Sequence, residues 1–171
     1  MFIILILDSK SDVKTLDSAI FLTIRLWHQN TIMTWNRRNE TMSEIKDQLL
    51  YSEEHEWVER ISEDTVRIGI TDFAQHQLGD IVFVELPKAG REVAVDEEVG
   101  TIESVKTASE LFCPLAGTVV TFNSDLETEP ELVNSDPYGR GWMIELKVTD
   151  DLESALSKLM DAKAYAEHAQ D

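Results

Sequence analysis

"GTIESVKTASELFCPLAG", residues 100–117, holds the feature from which the fold can be read. Two segments in and around it, "VGTIESV" and "TASELFC", each read as a strand, and they meet at Val105-Lys106. A two-residue hairpin turn ordinarily recruits Gly, Asn or Asp, because its corner needs positive φ angles. This corner is Val-Lys, with no glycine inside it. Local choices that run against propensity concentrate at functional sites. "PLAG" at 114–117 then supplies a Pro-Gly break that returns the chain beneath the hairpin. A lysine at the tip of a stiff hairpin projects its amine away from the body. An enzyme can acylate such an amine and so mount a prosthetic group on a long arm. The bland alternative is an ordinary surface lysine in an imperfect turn.

Outward from the hairpin, short strands with turn signals recur. "HEWVERI" and "TVRIGI" alternate apolar and polar residues around "SED", which reads as another hairpin. In "TDFAQHQLGD", Thr71 or Asp72 can cap a short helix and Gly79 can end it. "IVFVELP" is a strand stopped by Pro87, and "REVAV" and "GTVVTF" are further strand candidates. "NSDLETEPELVNSDPYGRG" is loop-like with about one helical turn, and "WMIELKV" alternates as a last strand. Leu152, Leu156 and Leu159 follow at helical spacing behind Asp150 or Asp151. Asp161 can cap a second helix there. Closely spaced short strands indicate a sandwich or barrel.

Composition narrows the function classes. The 171 residues carry a net charge of −18, which opposes binding to nucleic acid or an anionic membrane. One cysteine excludes an intramolecular disulfide framework and suits a reducing cytoplasm. That residue, Cys113, reads as a small buried hydrophobe rather than a reactive thiol. Residues 1–41 have a net charge of +1 and residues 42–171 carry −19. The composition changes at Met42, so 1–41 reads as a poorly ordered appendage and 42–171 as the domain. "MFIILIL" lacks a positive n-region, "AIFLTI" is too short to span a bilayer, and four acids argue against a transit peptide.

Catalytic apparatus is hard to find. His28, His55, His76 and His168 are scattered, so a zinc set does not form. "NSDLETEPELVN" lacks the glycine and the final glutamate of a calcium loop. No GxGxxG, P-loop or GxSxG is present. The many carboxylates read as a solvated acidic surface.

"GTIESVKTASELFCPLAGTVV" resembles the lipoyl-attachment region of the glycine cleavage system H protein family. "SEEHEWV", "GITDFAQHQLGDIVFVELP", "PELVNSDPYGRGWMIELKV" and the helical tail resemble the same family in the same order, over about residues 48–165. The resemblance implies a mainly β fold: a lipoyl/biotinyl-type flattened β-barrel sandwich with short helices and a C-terminal helical segment. It implies a carrier without turnover of its own, with lipoate joined by an amide to Lys106. Glycine decarboxylase would load an aminomethyl group, an aminomethyltransferase would pass its carbon to tetrahydrofolate, and dihydrolipoamide dehydrogenase would reoxidise the dithiol. Lipoate-attaching enzymes would read the same hairpin. The resemblance also points to Glu56 of "HEW" and Glu110 as acceptors for the loaded arm in a cleft. Family members often carry aspartate at the position of Glu110. An H-like relay that donates lipoyl or octanoyl groups to other enzymes would use the same lysine. A biotinyl carrier would place methionines beside the lysine, where this chain has Val105 and Thr107.

Overall fold

Strands β2 (Glu56–Arg60) and β3 (Thr65–Ile70) form the hairpin expected from alternation, with Trp57 opposite Gly69. The structure is a computed structural model, and it describes residues 43–170. The expectation that residues 1–41 are an appendage lies outside the described residues.

Strands β1 (Leu50–Tyr51), β5 (Glu92–Val93), β8 (Gly117–Phe122) and β9 (Ile144–Val148) join this hairpin. Together they make a six-stranded antiparallel sheet in the order β1-β2-β3-β9-β8-β5. Strands β4 (Ile81–Glu85), β6 (Glu97–Ser104) and β7 (Ala108–Cys113) make a second, three-stranded sheet in the order β4-β6-β7. Inward side chains of both sheets share one core, including Val66, Ile68 and Leu146 from the first and Val84, Ile102 and Leu111 from the second. Each fully buried aliphatic side chain there contributes about 1.5–3 kcal/mol. The architecture is therefore a two-sheet sandwich whose strands do not join into a closed barrel. "REVAV" yields only the two-residue β5, and β1 has no counterpart among the expected strands.

Helix α1 (Asp72–Leu78) starts where Thr71 Oγ1 accepts from Ala74 N at 3.2 Å, and it ends at Gly79. The long polar loop holds a 3-10 helix (Ser124–Glu127) and α2 (Leu132–Ser135). The tail forms two helices, α3 (Leu152–Leu156) and α4 (Ala162–His168), capped by Asp151 and Asp161. Tyr165 of α4 and Tyr51 of β1 stack at 4.3 Å between ring centroids, and with Leu49 and Trp57 they make a second, aromatic core. No helix among the described residues is long and apolar enough to cross a membrane.

Strand β7 lies at the border of its sheet. Ser104 N donates to Thr107 O at 2.8 Å. By antiparallel alternation, Thr107, Ser109 and Leu111 bond across to β6, while Ala108, Glu110 and Phe112 turn their backbone groups outward. No other described strand pairs with β7, so this edge stays open at Ala108 and Glu110.

Candidate functional site

The hairpin corner does without glycine because a side chain replaces it. Ser104 Oγ accepts from the backbone N–H groups of Lys106 and Thr107, both at 3.1 Å, and donates to Thr107 O at 3.1 Å. The Ser hydroxyl thus supplies the local bonds that a turn needs. None of residues 104–107 has positive φ. A further bond, Val105 N to Asp80 O at 3.0 Å, ties the corner to the chain entering β4. These bonds hold the backbone and leave the side chains outside. Lys106 is exposed and forms no ion pair among the described residues.

The lysine stem lies over Gly79. A Cβ at that glycine would sit 3.2 Å from both Cε and Nζ of Lys106. Gly79 itself has φ 81° and ψ −154°, a combination that essentially only glycine adopts. Asn134 steadies this neighbourhood: its Nδ2 donates to Gly79 O at 2.9 Å and its Oδ1 accepts from Ile81 N at 2.9 Å.

The other two site candidates are placed differently from each other. Glu110 is exposed on β7, and its carboxylate bonds to no described residue. Glu56 is 2% exposed. Its Oε2 accepts from Ser52 Oγ, its Oε1 accepts from Phe112 N at 3.3 Å, and Ser52 Oγ accepts in turn from Glu56 N at 2.9 Å. Burial pushes the Glu56 carboxyl above its ordinary range, and the Ser52 hydroxyl and Phe112 N–H oppose that shift. Glu56 forms part of the wall of a cleft of about 580 Å3, with Ser52, Phe112, Pro114, Leu115 and Met160. Glu110 and Phe112 lie two apart on one face of β7, so the strand connects the lysine end to this cleft. No hydrogen bond joins Glu56 to Glu110.

Behind Glu56 the loop passes through His55 at φ 71°. His55 O accepts from Thr71 N at 3.0 Å, and its Nδ1 lies 2.9 Å from Tyr165 Oη. Tyr165 Oη also lies 2.7 Å from Thr71 Oγ1. Burial, and next the nearby His168, lower the His55 pKa. Cys113 is fully buried, and burial raises its thiol to about 11, in keeping with a structural role.

Sequence reasoning missed Ser104, Ser52 and Asn134. Only Ser104 left a usable signal, a hydroxyl directly before a glycine-free corner.

A model of the glycine cleavage H-protein family matches residues 49–171. The chain belongs to that family. A glycine cleavage system H protein of Mycobacterium avium is 54% identical over 126 residues, covering 72% of this chain and 96% of the relative. One from Mycolicibacterium gilvum is 52% identical over 131 residues, covering 76% of this chain and all of the relative. The crystal structure of an H protein from Mycobacterium marinum superposes with a TM-score of 0.65 at 36% identity, covering 72% of this chain and 97% of the other. As an H protein, this chain is the lipoyl-carrying subunit of the glycine cleavage system.

Proposed function

We propose that Lys106 is the lipoylated residue, and that the chain carries the aminomethyl group of glycine from glycine decarboxylase to the aminomethyltransferase without catalysing a step itself. The observation that carries this reading is an exposed, unpaired lysine on a turn held by Ser104. Bound through an amide, lipoate supplies a disulfide that can be reduced, loaded and restored, the last step by dihydrolipoamide dehydrogenase. The residues present fit that group: the amine is reachable, and the turn beneath it is stiff. Net charge of −18 suits brief encounters with several large enzymes, where charge governs approach more than lasting affinity.

Glu56 and Glu110 would serve the loaded arm as acceptors for a cationic amine. At about 3.3 Å of rise per residue, Glu110 stands roughly 13 Å and Phe112 roughly 20 Å along β7 from Lys106. Fourteen or so bonds of lysine and lipoyl chain extend to about 18 Å. Glu110 therefore lies along the path and Glu56 near its end. Residues 1–41 stand outside the carrier domain in this reading, and Met42 onward supplies the carrier.

Lys106→Arg tests the assignment. Arginine keeps the charge but stays protonated and accepts no acyl group. The variant should fold with an unchanged thermal midpoint, take up no lipoate by intact mass, and support no glycine cleavage. Lipoate found on that variant would place the attachment elsewhere.

A further inference from the structure

Strand β4 breaks its own alternation beside the lysine. Ile81 and Val84 are buried, while Val82 and Phe83 between them are 52% and 47% exposed. The cause is a bulge: Ile81 pairs with Ser104 and Phe83 with Glu103, so Val82 is an extra residue in the ladder. Val105, the residue before the lysine, is 65% exposed, and its N–H donates to the backbone oxygen of Asp80, the residue just before that strand. Half of the six exposed large hydrophobic side chains among the described residues thus border one turn. Three exposed acids stand beside them: Asp80 just before β4, Glu85 at the end of β4, and Glu103 on β6. Exposed apolar groups rimmed by polar ones mark interaction surfaces.

From this arrangement, and resting on the assignment of Lys106, we infer that Val82, Phe83 and Val105 form the docking surface for the enzyme that attaches lipoate. Reach selects that partner. A lysine Nζ extends only about 6 Å from its Cα. An attaching enzyme must bring this amine into bonding distance of an activated lipoyl carbonyl, such as an acyl adenylate. There the neutral amine attacks the carbonyl carbon, the C–N amide forms, and the C–O bond to the phosphate breaks. The adenylate leaves with the electron pair, and the amine gives up a proton to water. At so short a reach the enzyme must close over the turn itself, and so over Val105 and the bulged pair. Enzymes that use the finished arm are met about 18 Å out. They can leave the turn outside their active sites. The acidic rim assigns the partner an apolar socket edged by lysine or arginine.

The test uses the unmodified full chain with a purified ATP-dependent lipoate-attaching enzyme, following attachment by intact mass. The triple substitution Val82→Ser, Phe83→Ser, Val105→Ser should lower kcat/KM for attachment at least tenfold, mainly through KM. After forced lipoylation, reduction of the arm by dihydrolipoamide dehydrogenase should change at least tenfold less than attachment does. Binding without chemistry gives a second measurement. The Lys106→Arg protein should inhibit attachment competitively, and Lys106→Arg carrying the triple substitution should inhibit at least tenfold more weakly. Equal kcat/KM for the triple variant and the unaltered chain, or equal inhibition by the two Arg proteins, overturns the docking surface and leaves Lys106 assigned. Lipoate on Lys106→Arg would instead overturn the assignment of the lysine.

Discussion

At the Lys106 end of β7, one serine two residues away and a few backbone bonds hold the chain, and every side chain of the corner faces solvent. At the Phe112 end, Glu56 is buried and bonded to Ser52, and the loop before it is held by Thr71 and Tyr165, the latter 110 residues from His55. The first end makes a polar group available by fixing only its backbone. The second withholds a polar group by burying it and by pinning the loop before it to distant parts of the chain. A carrier needs both, since its arm must be offered to enzymes at one time and sheltered from water at another.

The sharpest way to break that contrast is at Gly79, where the lysine stem rests. Gly79→Ala places an L-residue at φ 81° and ψ −154°. Urea unfolding should show a loss of about 1–3 kcal/mol, the range for residues forced into sparsely populated backbone regions. A loss well below that would mean that the turn and α1 shift together to relieve the strain.

Glu56→Gln probes the withheld group. Lipoylation and reoxidation should persist, while the aminomethyl form should decay about tenfold faster, as expected for losing a charge-assisted hydrogen bond of roughly 1.5 kcal/mol. Glu110→Gln should act in the same direction more weakly, because that side chain is exposed. Unchanged lifetimes in both variants would remove these residues from the protection of the arm. Glu56 also carries a pH signature. Burial raises its folded pKa above its unfolded one, so the carboxyl stabilises the fold as the neutral acid and loses that contribution as pH rises through the raised value. Thermal midpoints of the original chain should therefore fall relative to Glu56→Gln as pH rises from the ordinary carboxyl range, then run parallel once the group is ionised.

Tyr165→Phe loosens the sheltering side alone. It keeps the stack on Tyr51 but removes the hydroxyl that meets Thr71 and His55. Denaturant midpoints should report a loss of about 1 kcal/mol with lipoate attachment at its usual rate. Slower attachment would show that the two ends are coupled. Smallest of all should be the effect of starting the chain at Met42, for which we expect the same midpoint and the same lipoylation. A lowered midpoint would bring residues 1–41 into the domain.

The same contrast divides what is legible in the sequence from what is not. The hairpins, the Thr71 cap, the Gly79 stop and the Asp161 cap are set by neighbours in sequence, and so can be read there. Lys106 is legible for the same reason, since its corner violates a local rule. The bulge at Val82 is not, because alternation in "IVFVE" assigns one of Val82 and Phe83 to the core. Nor is the burial of Glu56: nothing within a few residues of "HEW" announces that the N–H of Phe112, 56 positions later, will donate to its carboxylate. Strand β1 escapes notice because two residues carry no period.

The open edge of β7 has a consequence for how the molecule behaves in a crowd. Ala108 and Glu110 present outward backbone groups beside the lysine, the kind of border on which a second chain can add a strand and begin a fibril. A second strand added there would lie beside Lys106, and no strand of this chain fills the place among the described residues. Instead it is guarded by charge: Glu110 stands on that strand, and a net charge of −18 sets any two copies against each other before their edges meet. Acidity of this degree opposes pairing of that edge between copies. Salt, which screens such repulsion, is the condition under which self-association should first appear.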